Sequence, residues 1–288
     1  MINLDLHKNN YHRGKTDKGF TLVELLVVMS IISLLLSVLL PSLRRVRQQG
    51  QAVVCINNIK QLGLAFMLYG QEYNGYTMPA RVDQTKIYWW GEVTNDGIDH
   101  KAGVIWPYLK SELGEKSVFE CPSQPFGSYK LQGAPPGEES NSKWITSTYG
   151  YNGYFLCPSQ SSWFGLTDLT GPWQKIANIN TPAMVLVFAD TMIDLGPTSG
   201  IQNNFSLDPP YKYSYTNGWV KNQSPTTCFR HNNKANAIFV DGHSESMTTE
   251  GSEYTSPLVK IGSIGTSNAP YYVPNYLQWP KTTSRKLR

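Results

Sequence analysis

The amino-acid sequence predicts an α+β protein, in which a long N-terminal helix, membrane-spanning in its first half and amphipathic in its second, packs on a mainly antiparallel β-sheet body with long loops. An almost uncharged apolar run near the N-terminus continues into apolar residues at helical spacing. After it, short apolar runs alternate with clusters of Gly, Pro, Ser and Asn, which is typical of strands and turns. The chain of 288 residues, with 40% hydrophobic and 16% charged residues, has the composition of a folded protein.

The formal net charge of +4 arises within residues 1–50, which contain seven Lys or Arg and three Asp or Glu. The rest of the chain is neutral, so its charge gives no general attraction to a polyanion. We therefore expect no nucleic-acid partner.

Residues 20–40 read FTLVELLVVMSIISLLLSVLL, with Glu24 as the single charge and no Gly or Pro. As a helix this run is about 31 Å long at about 1.5 Å per residue. The hydrocarbon core of a bilayer is about 30 Å thick. We predict a transmembrane helix over residues 20–40, and a buried core helix is the alternative.

A secretory signal peptide is the competing interpretation, because residues 1–19 form a basic leader. The apolar run is longer than the about 7–15 residues of a signal peptide, and Leu-Arg-Arg follows Pro41-Ser42 where a small-residue cleavage site would stand. We therefore expect the run to be retained. Basic residues lie on both of its sides, so the loop charges leave its orientation open.

Glu24 needs an explanation, because a carboxylate within an apolar helix is costly unless it is neutralised or lies at the interface. A cut between Gly19 and Phe20 would create an amine about one helical turn away. An ion pair between this amine and Glu24 of a neighbouring chain would hide both charges from lipid. The alternative is a carboxylate at the headgroup boundary with no further role.

The string KGFTLVELLVVMSIISLLLSVLLPSL, residues 18–43, resembles the N-terminal region of type IV pilins and type II secretion pseudopilins. The resemblance implies that a prepilin peptidase cuts after Gly19 and methylates the new amine of Phe20. It also implies that Glu24 acts in assembly and that Pro41 is the proline that interrupts the long helix. The leader would be cytoplasmic, the helix would cross the inner membrane once, and the body would be periplasmic or at the cell surface.

A second resemblance is to a group of bacterial proteins named for a C-terminal H-x9-DG motif. His231 is followed by nine residues, NNKANAIFV, and then by Asp241-Gly242. The strings FECPS at 119–123 and STYGYN at 147–152 are also similar to that group. This resemblance implies an architecture and leaves the activity open.

Beyond Pro41 the helix becomes amphipathic and should continue to about residue 70, before the Asn74-Gly75 turn signal. Its apolar face is predicted at Leu43, Val46, Val53, Ile56, Ile59, Leu62, Phe66 and Tyr69. The chain would thus comprise a leader over 1–19, a helix over 20–70 and an extracytoplasmic body over 71–288.

The clearest strand signal in the body covers residues 237–240. With Asp241-Gly242 as a two-residue turn, it predicts a hairpin that ends the 231–247 motif region. The tail from Ser252 onward is rich in Tyr, Pro, Ser and Thr and ends basic, so we expect it to be loosely ordered.

The four cysteines are Cys55, Cys121, Cys157 and Cys228. On the oxidising side of a membrane they would form disulfides, and three connectivities are possible. We expect Cys55–Cys121, which would join helix and body, and Cys157–Cys228. Free buried thiols are an alternative, and zinc is disfavoured because C-x2-C spacing is absent.

His231, Asp241 and His243 could hold a metal, because the hairpin brings imidazole and carboxylate groups near each other. We favour a structural role, with Asp241 serving the turn and His231 bonded to a carbonyl or carboxylate. Similarity to pseudopilins makes calcium conceivable, with oxygen ligands from Asp190, Asp194 and Asp208, but no EF-hand spacing supports it. We expect no cofactor.

The chain contains no G-x-S-x-G, H-E-x-x-H, Walker A or Rossmann motif, so we expect that it is not an enzyme. The first hypothesis is a filament subunit whose partners are a prepilin peptidase, other pilin or pseudopilin subunits and the inner membrane. The second is a membrane-tethered surface protein that binds polysaccharide or another ligand. The aromatic residues for that second role would be Trp89, Trp90, Trp106, Trp144, Trp163, Trp173 and Trp219.

Overall fold

The computed structural model describes residues 20–82, 85–111, 117–124, 130–131, 146–157, 173–214 and 218–274. The predicted leader with Gly19, Trp144, Trp163 and the basic end of the chain lie outside these residues.

The described elements confirm the α+β class. The helices are Leu22–Glu72 (α1), Trp106–Leu109 (α2), Gly153–Leu156 (α3) and Gly196–Ser199 (α4), with 3-10 turns at His100–Ala102 and Ile176–Asn178. The strands are Ile87–Tyr88 (β1), Gly91–Val93 (β2), Ile98–Asp99 (β3), Lys130–Leu131 (β4), Tyr149–Tyr151 (β5), Leu186–Asp190 (β6), Ile193–Asp194 (β7), Ile201–Asn203 (β8), Tyr211–Ser214 (β9), Gly218–Lys221 (β10), Thr227–Cys228 (β11), Ala235–Phe239 (β12), Ser244–Met247 (β13) and Ile261–Gly262 (β14).

The chain divides into two compact units, residues 1–46 and 47–288. In the first unit, the large apolar side chains from Phe20 to Val46 are all exposed. Among the described residues, α1 is the helix that is long and apolar enough to cross a membrane. An apolar surface of this extent is unfavourable in water, so its burial in lipid or against other chains would stabilise it.

Helix α1 extends to Glu72, close to the predicted end at residue 70. Its buried side chains begin at Cys55 and include four residues of the predicted apolar face, namely Ile59, Leu62, Phe66 and Tyr69. Val53, which also belongs to the predicted apolar face, is 58% exposed.

The central sheet has the strand order β13-β12-β6-β5, with antiparallel neighbours throughout. Its inner strands β6 and β12 are buried along their full length. One face, with Val187 and Ile238, shares a core with the buried side of α1. The other face, with Leu186 and Phe239, packs on residues of the C-terminal segment. Burial on both faces explains why β6 is apolar in sequence from Leu186 to Ala189.

The other sheets are smaller. β1, β2 and β3 form a three-stranded antiparallel sheet, while β9 pairs with β10 and β11 with β14, both antiparallel. β8 pairs antiparallel with β7 and parallel with β4. The described body is therefore mainly antiparallel, as predicted.

The predicted loose order of the tail was wrong for residues 252–274. Ile264, Tyr272 and Val273 fill the second face of the central sheet, and each is at most 2% exposed. The side chain of Asn152 donates to the Tyr272 carbonyl at 2.8 Å, and the Ile264 amide donates to the Tyr272 hydroxyl at 3.0 Å. The polar composition of the segment concealed these few apolar residues.

The predicted hairpin is present, but its turn is longer than predicted. Phe239 donates to the His243 carbonyl at 3.0 Å, which leaves residues 240–242 between the strands. Gly242 has a φ of +90°, as the last residue of such a three-residue loop requires. The Val240 amide makes no hydrogen bond across the hairpin and donates instead to the Val185 carbonyl at 2.9 Å.

A second tight turn begins the motif region. His231 and Lys234 exchange both of their backbone hydrogen bonds at 3.0 Å. Asn232 and Asn233 between them have φ values of 52° and 64°, which fits a two-residue type I′ turn. The motif residues His231 and Asp241 therefore lie at opposite ends of β12.

Candidate functional site

The N-terminus of α1 is capped by Thr21 and Glu24. The Thr21 amide and hydroxyl donate to the Glu24 carboxylate at 2.9 and 2.8 Å, and the Glu24 amide donates to the Thr21 hydroxyl at 3.2 Å. This reciprocal pattern is a capping box, which satisfies amides that have no partner at a helix start. It explains why α1 begins at Leu22, immediately after the predicted processing position.

Phe20 precedes this cap and is 72% exposed. Glu24 is also exposed, and Thr21 supplies the hydrogen bonds just described. Phe20, a predicted processing residue, and Glu24, a predicted assembly residue, are thus accessible at the same end of α1. If the chain were cut after Gly19, the nitrogen of Phe20 would become an amine beside the capped turn.

Pro41 lies inside α1, which continues on both sides of it. Polar side chains in this part of the helix bond to its own backbone. Ser37 donates to the Leu34 carbonyl at 2.7 Å, and Ser42 donates to the Leu39 carbonyl at 2.8 Å. These bonds pair the hydroxyl groups within the helix, as an apolar environment requires.

The second group of functional side chains is a buried cluster of Cys55, Cys121, Asp190 and His231. One potential ligand atom from each residue lies within 4.8 Å of all the others. Cys55 Sγ is 3.3 Å from Asp190 Oδ1, and Cys121 Sγ is 3.2 Å from His231 Nε2. His231 Nε2 is also 3.4 Å from Asp190 Oδ2. We call these four residues the Cys/Asp/His cluster.

The cluster joins four distant parts of the chain. Cys55 projects from α1, and Cys121 lies in the 117–124 segment, where its amide donates to Thr148 Oγ1 at 2.7 Å. Asp190 is the last residue of β6, and His231 opens the tight turn before β12. Antiparallel pairing of β6 with β12 brings the last two together.

Arg230 and Asn236 hold the Asp190 carboxylate. The Asn236 amide donates to Asp190 Oδ2 at 2.7 Å, and Arg230 Nε lies 3.8 Å from Asp190 Oδ1. The Arg230 guanidinium also donates to the Thr191 carbonyl at 2.6 Å. Asp190 is fully buried, and a buried carboxylate is tolerated when it is paired and hydrogen-bonded in this way.

The pKa values within the cluster diverge. Burial raises the pKa of the Cys55 thiol well above its usual range, and contacts with Cys121 and Asp190 act in the same direction. Burial also disfavours a thiolate at Cys121, but the pKa there is held at about 5 by hydrogen bonds with Cys55 and His231 and by the charge of Arg230. The metal-free cluster therefore favours a thiolate at Cys121.

His231 and Asp190, the two remaining groups of the cluster, favour opposite charges. Burial disfavours a charged His231, yet hydrogen bonds to Asp190 and Cys121 raise its pKa to about 9. Burial likewise opposes ionisation of Asp190, but the Arg230 charge and the contact with His231 lower its pKa. The cluster without a metal is thus a compact set of paired charges.

A Cys and a His in contact can form a catalytic pair, but this arrangement differs from a triad in one respect. In a triad the acid bonds the imidazole nitrogen that faces away from the nucleophile. Here Cys121 and Asp190 both face Nε2 of His231, whereas Nδ1 lies 3.4 Å from Ser123 Oγ. The Cys121 side chain is also fully buried.

The four cysteines are free thiols, so neither predicted disulfide is formed in the structure. Cys55 and Cys121 do lie together, as that pairing required. Cys157 donates to the Gly153 carbonyl at 3.0 Å, whereas Cys228 belongs to a separate apolar cluster. The second pairing was wrong because these two thiols lie in different parts of the core.

The predicted grouping of His231 with Asp241 and His243 is also wrong. Asp241 lies on the exposed turn with its carboxylate 2.6 Å from His243 Nδ1, while His231 lies in the Cys/Asp/His cluster at the other end of β12. The structural roles favoured from the sequence agree with these contacts: Asp241 accepts from the His243 amide at 3.1 Å, and His231 contacts the carboxylate of Asp190.

The three aspartates considered as calcium ligands have separate partners. Asp190 belongs to the Cys/Asp/His cluster, Asp208 pairs with Lys212 at 2.7 Å, and Asp194 accepts from Ser256 at 2.5 Å. In the described part of the chain they do not converge on a common site.

Trp89 and Trp90, two of the aromatic residues considered for stacking on a sugar, are fully buried. The indole N–H of Trp89 donates to the Phe205 carbonyl at 2.9 Å, and Trp173 is 36% exposed. The first two therefore belong to the core and present no face to a ligand.

The N-terminal part of the chain combines an exposed apolar helix with an accessible Phe20 and a single acid, Glu24, near the start of the helix. Residues 14–40 match the prokaryotic N-terminal methylation motif. A curated relative, a ComG operon protein 3 homolog from Bacillus licheniformis, is 36% identical over 61 residues. That similarity covers 21% of this chain and 63% of the relative's length. No solved structure matches the chain.

Proposed function

We propose that this chain is a structural, non-catalytic subunit of a pilin or type II pseudopilin-like filament. A prepilin peptidase would cut after Gly19 and methylate the amine of Phe20. Residues 20–40 would anchor the subunit in the inner membrane, with the leader in the cytoplasm and the body in the periplasm or at the cell surface. The body would be of the H-x9-DG type, defined by His231 and Asp241-Gly242.

The observation that carries this proposal is the position of Glu24. It is the single charge in the apolar run, it lies close to Phe20, and it falls within the matched residues 14–40. A lone carboxylate in lipid is costly, whereas an amine from a neighbouring subunit would neutralise it. The exposed apolar side chains of α1 around it would pack against the helices of other subunits.

The test compares Glu24→Ala with two control variants. Ser37→Ala removes a polar group from the same apolar segment, and Thr21→Ala removes the hydroxyl of the cap but leaves the carboxylate. Breaking a buried ion pair costs about 3–5 kcal/mol, which is a factor of about 2 × 10² to 5 × 10³ in incorporation. We expect this loss for Glu24→Ala alone, with normal cleavage in all variants.

The readouts are filament incorporation, measured by shearing and immunoblotting, and the mass of the N-terminal peptide. A mature protein that begins at methylated Phe20 supports the proposal. A protein that still begins at Met1, or that begins after Pro41, contradicts it. If Thr21→Ala fails to assemble as Glu24→Ala does, Glu24 acts through the helix cap and not through a neighbour.

A single tethered protein that binds polysaccharide would behave differently. Glu24→Ala would then leave surface display and ligand capture unchanged. The burial of Trp89 and Trp90 removes two of the aromatic residues on which that reading depended.

A further inference from the structure

The Cys/Asp/His cluster has the composition of a metal site. Two thiols and one imidazole are typical zinc ligands, and a carboxylate oxygen is accepted as a further one. All four residues are buried, which is the setting of a closed structural site and not of a site open to substrate. We propose that Cys55, Cys121, Asp190 and His231 bind a zinc ion.

Three contacts between the ligand atoms are close to the edge lengths of a tetrahedral zinc site. With Zn–S bonds of about 2.3 Å and Zn–N or Zn–O bonds of about 2.0–2.1 Å, the edges of the tetrahedron are about 3.3–3.8 Å. Three contacts in the cluster are 3.2 Å from Cys121 Sγ to His231 Nε2, 3.4 Å from His231 Nε2 to Asp190 Oδ2 and 3.3 Å from Cys55 Sγ to Asp190 Oδ1. One ligand atom from each of the four residues lies within 4.8 Å of all the others. Side-chain movements of about 1 Å would bring the remaining ligand atoms to tetrahedral spacing.

The direction of His231 supports the same conclusion. Its Nε2 atom faces both a thiol and a carboxylate, although a single ring nitrogen has at most one proton to share between them. A metal ion at that position would satisfy all three groups. The Nδ1 atom lies 3.4 Å from Ser123 Oγ, which resembles the outer contact that orients a ligating imidazole.

The charges also balance. Two thiolates and one carboxylate carry three negative charges, and a divalent cation neutralises two of them. The buried guanidinium of Arg230, 3.8 Å from Asp190, neutralises the third. A buried site without net charge avoids most of the cost of desolvation.

A disulfide between Cys55 and Cys121 is the competing chemistry for these thiols. A disulfide needs no carboxylate or imidazole beside it, yet Cys55 is directed at Asp190 and Cys121 at His231. Zinc would bind the thiols as thiolates and protect them from oxidation. It would also join α1 to β6 and to the start of β12, so the metal would hold the helix on the body.

The experiment uses the full chain, extracted from membranes in detergent without reductant. Zinc content is measured by elemental analysis, and peptide mapping records whether Cys55 and Cys121 are joined by a disulfide. We expect about one zinc per chain and two free thiols. A chain without zinc, or one with a Cys55–Cys121 disulfide, overturns the proposal.

Cobalt(II) then serves as a spectroscopic probe in place of zinc. Wild type should show the thiolate-to-cobalt charge-transfer band and the strong visible absorption of tetrahedral cobalt. Cys121→Ser should weaken binding at least tenfold, whereas Cys157→Ser, which replaces a buried thiol outside the cluster, should leave it unchanged. Equal losses in both variants would contradict the assignment.

Tryptophan fluorescence and circular dichroism establish whether each variant folds. If Cys121→Ser does not fold, the cobalt spectrum of the wild type still tests whether the thiols bind the metal. The intensity of its charge-transfer band reports the number of thiolates bound to cobalt. A spectrum without that band overturns the proposal. Neither result depends on filament assembly, so this test and the Glu24 test can fail separately.

Discussion

Replacing Leu62 by Ala tests whether the second half of α1 is held by apolar packing on the body. Leu62 is fully buried, whereas Leu64 on the same helix is 62% exposed. The same substitution at both positions changes helix propensity equally, so the difference between them reports burial. Leu→Ala removes three carbons, worth about 2.4 kcal/mol at about 0.8 kcal/mol each.

The cavity that remains at Leu62 adds to this loss, so we expect the free energy of unfolding to fall by about 3–4 kcal/mol. At Leu64 most of the side chain already contacts solvent, so the loss should stay below about 1 kcal/mol. Urea titration of the full chain in detergent measures both values, with the buried Trp89 and Trp90 as fluorescent reporters. Equal shifts of the midpoint, or a loss below about 1 kcal/mol at Leu62, would refute this account of the packing.

Two further predictions concern a pair of glycines and Asp194. Gly150→Ala would place a Cβ 2.6 Å from the carbonyl carbon of Ser206, so it should destabilise the protein by about 1–3 kcal/mol. Gly50→Ala has open space around it on α1 and should stabilise the protein by about 0.5–1 kcal/mol. Urea midpoints that shift in the same direction for both variants would contradict this. The hydrogen bond from Ser256 lowers the pKa of Asp194 in the folded protein. The ionised Asp194 therefore stabilises the fold at pH values above its ordinary pKa of about 3.9, and this stabilisation is lost as the pH falls through the lower pKa of the folded state. Asp194→Asn should therefore flatten the fall in Tm between about pH 5 and 3, and an unchanged slope would show that Asp194 has no part in it.

The long helix could be predicted because its signal is local. The apolar run and the spacing of Ile59, Leu62 and Phe66 are visible within single windows of sequence, and the helix ends within two residues of the predicted position. The hairpin was predicted for the same reason. Its turn was predicted one residue too short because Val240 pairs with Val185, a contact that nothing in the neighbouring sequence reveals.

The Cys/Asp/His cluster could not be predicted as a unit, because each of its residues comes from a different part of the chain. The sequence suggested Cys55 with Cys121, and His231 with a carboxylate, but the pairing of β6 with β12 decides that this carboxylate is Asp190. One local signal was available, since Asp190 ends a strand that is otherwise wholly apolar. An acid at such a position needs a partner in the core.

The nine-residue gap of the H-x9-DG motif has a geometric origin in β12. Two turn residues, Lys234, the five residues of the strand and Val240 account for the whole interval between His231 and Asp241. Since side chains alternate across a strand, adding one residue to this interval would exchange the two faces of β12 or displace His231 from its neighbours. The interval of nine residues thus equals one tight turn and one strand, with His231 in the buried cluster at one end and the chain reversal at Asp241-Gly242 at the other.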